Sequence, residues 1–411
     1  MAAADRGPRR ARGRALGAEP LAARAGGRAR GRRLVRRDHR GGHVTAPATE
    51  TGPAPAPAAA PAAAPATKPA GDWVGRALDE QLAPPAGSAP GADEAALARA
   101  LADATTGGKR FRPQLVESVH RLLGGRRPQA VPAVAAALEL LHTAFVVHDD
   151  VIDGDDTRRG RPSTPGTFRA HAHRAGASPT AADTYALAGA VLTGDLALAA
   201  AVRAVATAPA PPATISRLLD LLDSALRISA AGELADVRFS LGLAEPSLAD
   251  VLTMEEHKTA VYSFELPLQY GAVLAGADEA VVVGLGRVGR QLGLAFQLLD
   301  DVQGVFGDPA RTGKSPLGDL REGKRTPLVV HARTTSAWPV VRRHLGDPNL
   351  GPAGAADVRR ALEVGGSRAF VEQLAAGYVE AATAQTAELG LPAALVAWVG
   401  DMSQTLTRGA A

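Results

Sequence analysis

Long runs rich in Ala, Leu and Val with helical spacing dominate this chain from Trp73 onward, and they constrain its fold more than any other feature. They cover Glu94–Ala104, Val131–Asp150, Thr180–Ala206, Ala213–Leu241, Leu248–Leu274 and Glu279–Val305. Several exceed twenty residues and are apolar on more than one face, as helices inside a bundle are. Strand signals are nearly absent, with little β-branched alternation and no Asn-Gly or Asp-Gly hairpin turn joining two alternating runs. Pro and Gly clusters at Ala208–Pro212 and Gly307–Gly313 separate the runs. The expected fold is all-α. Charged residues within each run argue against a membrane span.

An apolar fraction of 46% in 411 residues furnishes a substantial core. The chain has no Cys, which excludes disulfides, thiolate zinc sites and thiol nucleophiles. The basic excess of the whole chain belongs to its tail. Residues 1–43 hold thirteen Arg against three acids, so the remaining 33 bases and 39 acids leave the body mildly acidic. Residues 1–45 are therefore expected to be a disordered Arg-rich leader, and 46–70 a disordered Ala/Pro linker. One all-α domain is expected over 71–411. The leader lacks the apolar region of a secretory signal. Val44, after a stretch readable as a ribosome-binding sequence, is a candidate start. A nucleic-acid partner would rest on this tail alone, and none is expected.

Two acidic clusters carry the chemistry. Asp149, Asp150 and Asp153 end one long apolar helix, with Asp149 and Asp153 sharing a face at i,i+4. Acids at the negative end of a helix dipole need positive compensation. Hard carboxylate oxygens suit Mg²⁺ bridging protein to substrate phosphates, although a solvated acidic helix end has the same sequence. Arg158-Arg159-Gly160 follows and offers fork-shaped phosphate donors. Asp300-Asp301 closes another apolar helix, preceded by Gln297 and followed by Lys314 and Lys324. Gly107-Gly108-Lys109-Arg110-Phe111-Arg112-Pro113 is a plausible phosphate cradle, and Lys258 places a cation inside a bundle helix.

GGKRFRP, ELLHTAFVVHDDVIDGDDTRRGRP, HKTAVYSFELP, FQLLDDVQGVFGD and GKSPLGDLREGK occur in this order. The set resembles trans-isoprenyl diphosphate synthases, the polyprenyl synthetase family, over about residues 75–400. The resemblance implies a bundle of roughly ten or more helices around a central cavity, a cytoplasmic homodimer and three Mg²⁺ ions. It implies condensation of isopentenyl diphosphate with an allylic diphosphate. Asp149, Asp150, Asp153, Asp300 and Asp301 would hold magnesium on the allylic diphosphate, which Arg158, Lys258, Lys314 and Lys324 would also bind. Lys109, Arg112, His142 and Arg159 would bind isopentenyl diphosphate, and Gln297 would stand near the reacting allylic group. Asp195 and Asp236 read as supporting structure. Phe145, with small Ala144 beside it, is the expected floor of the chain-length pocket. The motif resembles those of bacterial short-chain synthases, which implies a C20 product, geranylgeranyl diphosphate, with C15 farnesyl diphosphate next.

Two departures stand out. Gly304 supplies no third carboxylate in the second motif, where water or Asp308 would fill in, and Glu233 follows Gly232 where Gln is common in the family. A class I terpene cyclase would share the fold but would need no second diphosphate site. A non-catalytic partner subunit would be expected to lack an intact first motif.

Overall fold

The structure, a computed structural model, describes residues 72–84, 90–158, 160–307 and 318–408. The expected leader and linker, together with Arg159, Asp308 and Lys314, lie outside the described residues. Ten α-helices lead from the start of the described chain to the second acidic motif. They are α1 (Trp73–Leu82), α2 (Ala92–Ala104), α3 (Phe111–Leu122), α4 (Val131–Ile152), α5 (Thr164–Arg174), α6 (Pro179–Ala206), α7 (Pro212–Ser240), α8 (Leu248–Glu255), α9 (Leu266–Ala275) and α10 (Glu279–Phe306). Six shorter or peripheral helices follow: α11 (Gly318–Glu322), α12 (Pro327–Ala332), α13 (Trp338–His344), α14 (Pro352–Val364), α15 (Ser367–Glu388) and α16 (Ala393–Arg408). The extended pairing among the described residues is a two-residue antiparallel hairpin, β1 (Thr157–Arg158) and β2 (Arg161–Pro162), with Thr157 opposite Pro162. The long helices expected from the sequence begin and end within two residues of the expected positions.

Local chemistry sets several of these boundaries. Pro occupies the first turn of α4, α5, α6 and α7, where its missing N–H costs nothing. Ser247 and Asp250 form a reciprocal capping box at the start of α8. Ser163 caps α5 by accepting from the Gly166 N–H, and its hydroxyl donates to the Asp155 carbonyl at 2.6 Å. That bond pins the hairpin directly behind the first acidic motif.

Three apolar clusters hold the bundle. One joins α1, α4, α6 and α7 to Val261, Tyr262, Leu266 and Tyr270. A second packs α3 and α9 against the first half of α10, and a third packs the second half of α10 against α12–α15. Helix α10 belongs to both, so the second motif is anchored in the core.

One element differs in kind from its sequence expectation. The run Leu248–Leu274 is helical throughout, but Glu256–Glu265 between α8 and α9 is a π-helix. Its i→i+5 bonding widens the turn that carries Lys258, a form recurrent at functional sites. Helix α7 approaches this segment so closely that a Cβ on Gly232 would lie 2.3 Å from the Lys258 backbone nitrogen. Any side chain there would force the two elements apart.

Charge does not exclude a membrane span in two of these helices. Stretches within Pro128–Ile152 and Pro179–Ala206 have mean hydropathies of 1.8 and 1.7, and both helices are long and apolar enough to cross a membrane. In α4 the charges gather at the C-terminal end, leaving Glu139 as the single charge among the preceding residues. Burial distinguishes α4, since 72% of its apolar window is inside the bundle, against 39% for α6.

Candidate active site

The first motif ends α4, where the carbonyl dipoles disfavour anions. Arg158 on β1 meets that charge. Its guanidinium donates to Asp149 Oδ2 at 2.9 Å and, by a short contact, to Asp150 Oδ1, and it lies 3.8 Å from Asp155. The three motif acids differ in exposure. Asp150 is 2% exposed, while Asp149 and Asp153 are half-buried. Burial pushes the Asp150 carboxyl up to about 6 against the pull of Arg158. Burial acts the same way on Asp149, but Lys258, Lys324 and Arg158 outweigh it and hold that group below its ordinary value.

Two lysines link this wall to the rest of the site. Lys258 Nζ on the π segment lies 2.6 Å from Asp236 and 3.1 Å from Glu233, both on α7, and 3.4 Å from Asp149. Lys324 Nζ donates to Asp153 Oδ2 at 3.0 Å and lies 2.9 Å from Glu322. Burial opposes both charges, yet the surrounding carboxylates raise each lysine above its ordinary value. Asp236, read from the sequence as supporting structure, is buried beside Lys258. Asp195 is exposed and lies 3.6 Å from His148.

The second motif lies on α10. Asp301 is 6% exposed, Asp300 is half-buried, and Gln297 donates to Asp301 Oδ1 at 2.8 Å. Glu255, buried at the end of α8, faces Asp301. Among the described residues, Glu255 Oε2 and Asp301 Oδ2 have no hydrogen-bond donor. Burial, reinforced by the neighbouring acid, holds Glu255 well above its ordinary range, and burial takes Asp301 up to about 7.

A separate basic group gathers at Tyr262. Arg112 is buried, donates to Ser263 Oγ at 3.2 and 2.8 Å, reaches the Tyr262 hydroxyl at 3.5 Å, and stacks against the Phe111 and Tyr262 rings. His142 Nδ1 is 3.3 Å from the same hydroxyl. Lys109 is exposed on the loop before α3, where Gly107, Gly108 and Arg110 all have positive φ. Arg110, at φ 49°, is the one non-glycine in that region among the described residues, a conformation costing on the order of 1 kcal/mol. Phe145 meets the Tyr262 ring edge-on at 4.8 Å. Ala144 faces elsewhere, packed with Leu101 and Ala197 of α2 and α6. The two residues expected to form one floor therefore stand on different sides of α4.

Sequence reasoning gave no role to Tyr262, Ser263 or Glu255. Tyr262 and Ser263 were visible only as letters of a motif, and their partners lie far away in the chain. The donor set suits a divalent hard cation: oxygen ligands on two walls, with lysines among them. No three His, Asp or Glu side chains among the described residues are gathered tightly enough to hold an ion alone.

The Asp301 carboxyl makes stability depend on pH with a definite sign. Its folded value, about 7, exceeds its ordinary 3.8, so the native state retains a proton that the unfolded chain releases. Its contribution is complete below about pH 4 and is lost as pH rises through about 7. Asp301→Asn stays neutral throughout. In metal-free buffer its melting temperature should gain on the unsubstituted protein between about pH 5 and about pH 8. A constant gap would contradict the assignment.

The sequence matches the polyprenyl synthetase family over residues 94–349. It is 35% identical over 286 residues to the geranylfarnesyl diphosphate synthase of Aeropyrum pernix, covering 67% of this chain and 82% of that protein. It is 34% identical over 286 residues to a geranylgeranyl diphosphate synthase of Mycobacterium tuberculosis, covering 68% and 75%. The fold is similar to a geranylgeranyl pyrophosphate synthase from Corynebacterium glutamicum solved with isoprenyl diphosphate and magnesium. That match has a TM-score of 0.75 and 28% identity, over 82% of this chain and 96% of the other. Family match, relatives and site geometry agree, and the chain belongs to the polyprenyl synthetase family of prenyltransferases.

Proposed function

We propose that this prenyltransferase condenses isopentenyl diphosphate with an allylic diphosphate, head to tail, and yields chiefly the all-trans C20 product, geranylgeranyl diphosphate. The observation that carries this reading is the separation of two cationic groups. Lys258, Lys324 and Arg158 stand among the carboxylates of the first motif, while Arg112 and His142 meet at Tyr262. One cationic group for each of two diphosphates is what a bimolecular condensation requires.

Lys258, Lys324 and Arg158 bind the allylic diphosphate and stabilise charge growing on the pyrophosphate as its C–O bond breaks. Arg112 and His142 hold isopentenyl diphosphate so that its double bond attacks the allylic carbon. The new C–C bond forms, and a proton leaves to the departing pyrophosphate. Apolar helix faces exclude water that would quench the cation. Magnesium, three ions in this reading, supplies Lewis-acid neutralisation of the diphosphate. Exposure favours Asp149, Asp153 and Asp300 as its direct ligands, with buried Asp150 and Asp301 orienting them. No protein nucleophile enters the reaction.

The enzyme is further proposed to be a cytoplasmic homodimer. Helix α6 turns Tyr185, Leu187, Val191, Leu192, Leu196 and Val202 outward, each more than a third exposed. An apolar face this extended marks an association surface. Light scattering should give about twice the 42.0 kDa chain mass; a monomer would exclude the dimer.

Purified protein given Mg²⁺, isopentenyl diphosphate and dimethylallyl, geranyl or farnesyl diphosphate should yield mainly the C20 alcohol after dephosphorylation, identified by mass. Phe145→Ala should shift the products to longer chains. No condensation by folded protein would contradict the proposed activity, and an unchanged product spectrum would remove Phe145 as the floor.

A further inference from the structure

Gly304 is where the second acidic motif lacks a third carboxylate, and the structure places an acid there from another helix. A Cβ built on Gly304 would lie 2.5 Å from Asp319 Oδ2, with Asp319 Cγ next at 3.6 Å. The Asp319 carboxylate therefore points oxygen-first at the bare backbone. Gly304 follows Asp300 by four residues and Asp301 by three, so it shares their face of α10. Asp319, on α11, is half-buried, and its backbone carbonyl accepts from the Lys324 N–H at 2.9 Å. Its charge acts on both Asp301 and Lys324. Lys324 in turn reaches Asp153 of the first motif. The missing side chain at 304 and the inserted carboxylate at 319 are two parts of one arrangement.

Resting on the prenyltransferase reading above, we propose that Asp319 is the third acid of the second wall, a metal-positioning carboxylate occupying the space that Gly304 leaves open. Magnesium keeps several of its waters when it binds protein carboxylates and phosphates. An acid beside the direct ligands holds those waters and fixes the ligands' orientation, and loss of such a group costs roughly 10–100-fold in metal affinity. Glycine at 304 then leaves the Asp319 carboxylate in place, because a side chain there would make its oxygen shift.

The test is a calorimetric titration of Mg²⁺ into protein saturated with inorganic pyrophosphate, with each variant's fold checked by metal-free circular dichroism. Asp319→Asn, nearly isosteric, should weaken Mg²⁺ binding roughly tenfold or more. Gly304→Ala removes no acid but should also weaken binding, because its methyl group displaces the Asp319 oxygen. Gly304→Asp alone sets two carboxylates in one space and should bind poorly. Combining Gly304→Asp with Asp319→Gly should recover most of the affinity. Unchanged binding in Asp319→Asn, or a double variant no tighter than Asp319→Gly, would overturn the assignment. Asp149→Asn separates this from the broader reading: if it too binds Mg²⁺ normally, the magnesium–diphosphate site itself is wrong. Loss in Asp149→Asn without loss in Asp319→Asn refutes only the role of Asp319.

Discussion

Two half-buried lysines set among carboxylates hold this site together. Lys258 ties Asp149 at the end of α4 to Asp236 and Glu233 on α7, and Lys324 ties Asp153 to Glu322. Neither charge would be tolerated at that depth without partners, and removing one partner from such a pair costs far more than the pair's net worth. The acids have the same need, since Asp149 and Asp153 lie at the negative end of a helix dipole. Lysines and carboxylates therefore fix one another. A diphosphate and its metal enter a site whose counter-charges are already in place, which is how electrostatic preorganisation lowers a barrier.

The helical framework serves that arrangement. The π-helical segment carries Lys258 toward the acids and Tyr262 toward Arg112 and His142, so one irregular stretch faces both cationic groups. Gly232 lets α7 come against it. Arg112 is buried yet satisfied by Ser263 and two aromatic rings, so its guanidinium is held rigidly. Rigid positioning of both substrates matters in a reaction whose cation has water as its chief competitor.

The sequence made some of this legible, and the reasons are physical. Long apolar runs specify helices because burial on several faces requires that pattern, and α4, α6, α7 and α10 follow it closely, whereas the short polar α5 has no such run. The acids and bases were visible because their spacing is local. Their division of labour was not, since Asp149 and Asp150 are adjacent letters that burial separates. The π-helix has no distinctive composition: Glu256–Glu265 reads as ordinary helix, and tertiary packing widens it. Tyr262, Glu255 and Asp319 act through partners on other elements, which no periodicity reveals. Ala144 and Phe145 show the same limit, because consecutive helical residues point about 100° apart and pack against different neighbours.

The central claim is that the site holds two diphosphates with two separate sets of cations. Its most direct measurement is the affinity of Lys324→Ala for each ligand alone, magnesium pyrophosphate and isopentenyl diphosphate. Loss of a hydrogen bond to a charged group costs about 1.5–3 kcal/mol. The account predicts that loss for magnesium pyrophosphate and an unchanged affinity for isopentenyl diphosphate, which also shows that the variant is folded. Equal weakening of both would mean that the cations form a single undivided site, and would contradict the account.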